Sequence, residues 1–230
     1  AIGASYAGAR SACGSSGPGM SLMAEAIGLA GITETPVVIY DGQRSGPSTG
    51  MATRTEQGDL LTLVNASHGE FPRAVLSPAS HEDSFYLAAE AFNIADAWQV
   101  PVFLINDMCQ AGAESTVQEF DISRVRIDRG LIAPEPAEPA VLARYAVTES
   151  GVSPRAVPAL SRWLVSCDSH EHDEYGRLTD DPVNRVRQHS KRMRKLAGMA
   201  AAFPGPELIN PGRPVCLIAW GSTVGPLLEA

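Results

Sequence analysis

The pattern of this chain predicts an α/β fold: a mainly parallel sheet with helices on both faces. Three observations predict it. Strand-like apolar runs alternate with helical periods through residue 107, which is the signature of βαβ units. Two of the runs, Val37-Val38-Ile39-Tyr40 and Val100-Pro101-Val102-Phe103-Leu104-Ile105, are continuously apolar, as strands covered on both faces are. Both stop at polar residues, Asp41-Gly42 and Asn106-Asp107, and in open parallel sheets ligands sit beyond such carboxyl ends.

The elements follow in order. Ala1 to Ala9 is rich in small residues suited to a closely packed helix, and Ser11 to Ser15 is a short strand. Ser16-Gly17-Pro18-Gly19 signals a turn. Met20, Met23, Ile27 and Ala30 stand at helical spacing and Gly31 marks the stop. A short helix over Glu56 to Val64 and a strand at Ala74-Val75-Leu76 come next. Ser80 is an N-cap candidate with Glu82 and Asp83 in the first turn, suited to the helix dipole, so a long helix is expected to Gln99. From about Ser115 the pattern degrades into a connector punctuated by Pro134, Pro136, Pro139, Pro154 and Pro158. Residues 183–199 read as a basic amphipathic helix with a solvated face. Val215-Cys216-Leu217-Ile218-Ala219-Trp220 reads as a new strand, followed by Gly221-Ser222-Thr223 and a helix start.

Composition bounds the function. The chain has 230 residues, 44% of them hydrophobic, enough for a sizeable core. A net charge of −8 argues against a general nucleic-acid surface, which needs a basic face. No apolar stretch approaches the roughly 18 residues of a membrane span, and no signal peptide is visible. Cys13, Cys109, Cys167 and Cys216 are scattered with no C-x-x-C pair, so neither a zinc ribbon nor a self-contained iron–sulfur site is supported. A cytoplasmic protein with reduced thiols is expected. The chain opens without Met and stops at Leu227-Leu228-Glu229-Ala230, which reads as part of a longer polypeptide.

The loop Gln43-Arg44-Ser45-Gly46-Pro47-Ser48-Thr49-Gly50 lies at the carboxyl end of the 37–40 strand. Its one cation, Arg44, offers a planar fork of donors that matches a carboxylate or a phosphate. The alternative is a surface loop with a solvated arginine, and spacing alone leaves both open. Gly46 to Gly50 also fits the G-x-S-x-G nucleophile elbow of serine hydrolases, with Ser48 as nucleophile. That motif needs a strand running straight into the first glycine and a helix leaving the second. Here Asp41 to Ser45 intervene, and Met51 to Thr55 carry no helical period.

Other constellations are weaker. His170-x-His172 with nearby carboxylates lacks a third ligand fixed by spacing, and a polar surface loop is the simpler reading. His68-Gly69-Glu70 reads as a turn, and Cys13, near a strand end, as an inert buried thiol.

Several stretches together resemble a known family: AIGASYAGARS, SSGPGMSLMAEAIGLAG, PVVIYDGQRSGPSTGMATRTEQGDL, HGEFPRAVLSP and SFYLAAEAFNIADAWQVPVFLINDM. They resemble the alpha subunit of 2-oxoacid:ferredoxin oxidoreductases, nearest to the 2-oxoglutarate type. HEHDEYG, the basic run after it and AWGSTVGPLLEA follow in the family's order, so the resemblance covers nearly the whole chain.

The resemblance implies a transketolase-pyrimidine-like, thiamine diphosphate-binding domain over residues 1–130. A connector with the basic helix follows over 131–210, and 211–230 would begin a transketolase-C-like α/β domain. It implies a beta subunit as partner, carrying magnesium, the diphosphate site and an iron–sulfur cluster, so that the thiamine diphosphate is shared. The implied reaction is CoA-dependent oxidative decarboxylation of a 2-oxoacid with ferredoxin as acceptor. Arg44 is the implied substrate-carboxylate ligand, with Ser48 and Thr49 lining the cleft; Ser16, Gly17, Pro18 and Gly19 would pass near the aminopyrimidine. The family's catalytic glutamate precedes the AIGASYAG stretch, so no catalytic residue is assigned and this segment alone is expected to be inactive. Ser45 stands where the family commonly has Gly, and Cys13-Gly14 replaces a Thr-rich stretch. Pyruvate or branched-chain relatives, a serine hydrolase using Ser48, and an inactive scaffold are the alternatives.

Overall fold

The computed structural model describes all 230 residues. Its centre is a four-stranded, wholly parallel sheet: β1 (Ala12–Ser15), β2 (Val37–Gln43), β3 (Ala74–Leu76) and β4 (Pro101–Asp107), in the order β1-β2-β4-β3. β2 and β4 run side by side over their full length, Val37 opposite Pro101 and Gln43 opposite Asp107. Their carboxyl ends therefore fall level.

Helices cover both faces. Val37, Ile39, Phe103 and Ile105 point to one face and pack with Met20, Ile27, Ala30, Leu63 and Phe71. These come from α2 (Gly17–Leu22), α3 (Ala24–Ile32), α4 (Leu60–Val64) and the chain after it. Val38 and Val102 point to the other face and pack with Ala91, Ile94 and Ala95 of α5 (His81–Trp98) and Met199 of α7 (Pro182–Ala202). The period of two in each central strand thus divides the core into two halves. The remaining elements are short: α1 (Ile2–Tyr6), α6 (Met108–Gly112), α8 (Val224–Glu229) and the pair β5 (Ala140–Val141) and β6 (Trp163–Leu164).

The long helix begins as expected, with the Ser80 hydroxyl accepting from the Asp83 amide at 3.1 Å. Other expectations need correction. The first helix ends at Tyr6, because Gly8 turns the chain at φ +95°. Ser16 to Gly19 is the first turn of α2 and not a free turn, Pro18 being tolerated where no helical donor is needed. The expected single helix over 20–31 is broken at Met23 into α2 and α3. The 56–64 helix starts only at Leu60, since Glu56 and Asp59 bond to the Arg44 loop and its base and Gln57 to the end of β4. Residues 215–220 form no strand: no neighbour pairs with them, and Val215, Leu217 and Ile218 are exposed.

The basic helix is the largest correction. α7 buries Lys191, Arg192 and Lys195 completely or nearly so instead of presenting them to water. Glu34, at the amino-terminal approach to β2, is the reason for the two lysines, while Arg192 pairs with Glu171 at 2.7 Å. Lys191 Nζ donates to Glu34 Oε1 at 2.6 Å, and Lys195 Nζ lies 2.5 Å from Oε2 as a charge contact while donating to the Gln99 carbonyl. Arg144 of the connector donates to the Glu34 carbonyl at 2.8 Å. Burial opposes ionisation of Glu34, yet the charges of Lys195, Lys191 and Arg144 outweigh it and hold the carboxyl far below the usual range. The basic periodicity was legible; its buried partner, more than 150 positions earlier in the sequence, was not.

Replacing Glu34 with Ala leaves two buried ammonium groups without a counter-charge. Removing one partner of a buried ion pair costs on the order of 3–5 kcal/mol. The expected outcome is a correspondingly lower urea midpoint for the full-length protein, and an unchanged midpoint would contradict this role for Glu34.

Candidate active site at the carboxyl ends of the parallel strands

On β2 the inward face carries Val37, Ile39, Asp41 and Gln43, all buried. It turns from apolar to polar at the strand end. There it meets Asp107 of β4, Asp59 before α4 and the amino-terminal turn of α2.

Arg44 follows directly. It is half-buried, and its Nε is shielded from solvent without any hydrogen-bond partner. No carboxylate pairs with it, unlike the arginines at the other end of the sheet. The loop beyond it is closed on itself. The Ser45 amide approaches the Arg54 carbonyl at 3.4 Å, Met51 donates back to Ser45 at 3.1 Å, and the Gly46 amide donates to the Glu56 carboxylate at 3.1 Å. The loop base is fixed by the Asp59 amide donating to Gln43 Oε1 at 3.1 Å. Gly50 sits at φ +52°, where a Cβ would collide with the Ser45 carbonyl. Ser48 and Thr49 stand exposed at the tip, Ser48 at φ +57°.

A positive φ at Ser48 is what a nucleophile elbow would have. The rest of that motif is missing: the next helix begins only at Leu60, and no histidine is hydrogen-bonded to the Ser48 hydroxyl. The hydrolase arrangement has no base.

The Ser16–Gly19 turn lies across from this loop. A Cβ on Gly17 would come within 2.6 Å of the Asp59 carboxylate, and one on Gly19 would overlap the Ser15 hydroxyl. Both glycines let the turn pack closely against Asp59 and Ser15, where no larger side chain fits. Asp107 caps α6 through the Gln110 amide at 3.1 Å and accepts from Gln57 Nε2 at 2.9 Å and the Ser222 amide at 3.2 Å. Burial opposes its ionisation, but these hydrogen bonds prevail and hold it below the usual aspartate range. Gln57 also donates to the Trp220 carbonyl at 2.9 Å, so residues 220–222 are docked over the end of β4.

Other singled-out residues lie elsewhere. His170 pairs with Asp168 at 2.8 Å on the surface, while His172 is fully buried with its ring 4.0 Å from that of Tyr145. The two histidines do not converge. Glu70 lies 3.7 Å from His189 and lines a polar groove together with His68 and His170. Cys13 is on the exposed edge strand and not buried.

The sheet and the polar residues converging beyond its carboxyl ends define a ligand-binding α/β domain. The chain belongs to the family described as pyruvate flavodoxin/ferredoxin oxidoreductase, thiamine diphosphate-binding, whose model matches residues 1–192. It is 39% identical over its whole length to the 2-oxoacid:ferredoxin oxidoreductase subunit alpha of Saccharolobus solfataricus, covering 37% of that protein. It is 35% identical, again over its whole length, to the 2-oxoglutarate oxidoreductase subunit KorA of Mycobacterium tuberculosis, covering 35% of it. Among solved structures, a 2-oxoglutarate:ferredoxin oxidoreductase from Magnetococcus marinus, with 2-oxoglutarate, coenzyme A and succinyl-CoA bound, superposes with a TM-score of 0.92 at 33% identity. That match covers 99% of this chain and 40% of the other. The chain therefore spans less than half the length of the relatives it matches. No helix is long and apolar enough to cross a membrane.

Gly17→Ala places a methyl group against the Asp59 carboxylate, and over-packing of this kind costs about 1–3 kcal/mol. Gly46→Ala meets nothing within 4 Å. Thermal melts of the two full-length variants should separate clearly, with Gly17→Ala the less stable; coincident melts would contradict the close approach.

Proposed function

We propose that this chain is a segment of the alpha subunit of a 2-oxoacid:ferredoxin oxidoreductase of the 2-oxoglutarate type. The reaction converts 2-oxoglutarate, coenzyme A and oxidised ferredoxin to succinyl-CoA, carbon dioxide and reduced ferredoxin, reversibly. The observation that carries the reading is Arg44: a half-buried guanidinium at the carboxyl end of β2, its Nε shielded and unpaired, in a chain of this family. The relatives named KorA and the solved structure with 2-oxoglutarate bound support the substrate.

The turn at Ser16, Gly17, Pro18 and Gly19 is assigned to the pyrimidine half of thiamine diphosphate, supported by the family match over residues 1–192 and by its place directly after the carboxyl end of β1. When bound, the cofactor supplies a nucleophilic carbon and an electron sink for decarboxylation. This chain's residues bind and orient. Arg44 holds a substrate carboxylate through its donor fork, and fixing that group limits rotation of the bond to be broken. Ser48 and Thr49 offer hydroxyl donors at the cleft rim. Magnesium, the diphosphate site and the iron–sulfur cluster belong in this reading to a beta subunit, with ferredoxin as the external carrier. A cytoplasmic location goes with it.

The test is 2-oxoacid- and coenzyme A-dependent reduction of a viologen dye by the full-length complex. With 2-oxoglutarate, Arg44→Ala should lower kcat/KM by about 10²- to 10³-fold, the loss of charge-assisted hydrogen bonds. Arg44→Lys should recover only part, because an ammonium keeps the charge but not the fork. Equal activity in wild type and Arg44→Ala would overturn the assignment.

A further inference from the structure

Asp41 occupies an unusual position. It is fully buried at the end of β2, and neither carboxyl oxygen receives an N–H or alcohol donor. Its neighbour is the carboxyl of Asp59, within side-chain hydrogen-bond reach, whose Oδ2 is also buried without such a donor. Two carboxylates in contact inside a protein cannot both be ionised without a large penalty, so such a pair shares a proton. The Gly17 amide faces the Asp59 carboxylate from α2, which marks Asp59 as the ionised member and Asp41 as the acid.

We propose that Asp41 is a positioning residue. As a neutral carboxylic acid it donates to the Asp59 carboxylate, which in turn accepts from the Gly17 amide. That chain of hydrogen bonds clamps the Arg44 loop to the Ser16–Gly19 turn. Three segments far apart in sequence meet at this one proton: the end of β2, the return of the Arg44 loop and the start of α2. The Gln43 side chain reinforces the same joint by accepting from the Asp59 amide.

The charges that act on the pair are acidic, with the Arg44 guanidinium the one cation on the adjoining Gln43–Gly50 loop. Glu56 faces Asp59 from the loop, and Tyr40 and Asp107 lie nearby on β2 and β4. Burial first, then the Asp59 charge, pushes Asp41 up to about 7. The folded value lies above the unfolded one, so the clamp is complete at low pH and is lost as pH rises through about 7. Loss of the proton frees two like charges to repel, which loosens the base of the loop that carries Arg44.

Two measurements on the full-length complex test this, and the kinetic one rests on the function proposed above. Infrared difference spectra between about pH 6 and about pH 8.5 should contain a protonated-carboxyl C=O band lost at high pH. The band should be absent in Asp41→Asn, and in Asp59→Asn it should be lost at a lower pH than in the wild type. In turnover, the KM for 2-oxoglutarate in the wild type should rise relative to Asp41→Asn by up to about tenfold per pH unit above about 7, because the Asn amide donates at every pH. A wild-type spectrum without the band, a band that persists in Asp41→Asn, or one lost at the wild-type pH in Asp59→Asn overturns the proposal; so does a KM ratio that is flat with pH. An enzyme inactive with every 2-oxoacid overturns the assigned reaction instead, and the infrared result still decides the carboxyl pair.

Discussion

The buried carboxylate of Glu34 ties the carboxyl-terminal third of the chain to the sheet. Lys191 and Lys195 reach it from one helix and Arg144 from the connector, so α7 cannot leave without stranding charge in the interior. A second cluster lies near the same end of the sheet. Asp96 accepts from Arg10 and Arg129 at 3.0 Å each and from Arg155 at 2.6 Å. Buried pairs do not stabilise a protein much relative to apolar packing, but they tolerate no missing partner. They therefore specify one arrangement of an irregular connector that has little regular structure of its own.

The two ends of the sheet divide the labour. At the amino ends the charges are matched: every buried cation faces an anion. At the carboxyl ends they are not. Arg44 keeps an unpaired Nε and Gln43 an unpaired amide nitrogen. Orphaned polar groups cost free energy when buried, and a guanidinium with no carboxylate beside it is the mark of a place built to meet something else. In parallel sheets that end is where ligands bind.

How much of this was legible follows the range of the interactions. The strands, the long helix and its Ser80 cap are set by local pattern, and they stand within a few residues of where the sequence placed them. The Arg44 loop was found because a strand, a cation and two glycines are adjacent in sequence. Asp41, Gln43, Gln57, Asp59 and Asp107 were missed as a group, since each is unremarkable alone. A signal existed for two of them: Asp41 and Gln43 continue the inward period of Val37 and Ile39, where apolar residues were due. The solvated reading of α7 failed because periodicity reports a face and not its partner. Glu34 could not be matched to Lys191 by any local rule. The strand expected at 215–220 failed for the same reason, an apolar run being a strand only when a neighbour accepts its hydrogen bonds.

The central claim is that Arg44 is held ready for a substrate carboxylate. It is tested most directly by a crystal structure of the full-length complex with thiamine diphosphate and 2-oxoglutarate. The account predicts a carboxylate oxygen at about 2.7–2.9 Å from the Arg44 guanidinium, the range of charge-assisted hydrogen bonds. A bound 2-oxoglutarate whose carboxylates both lie beyond about 4 Å from Arg44, outside ion-pair reach, would contradict it.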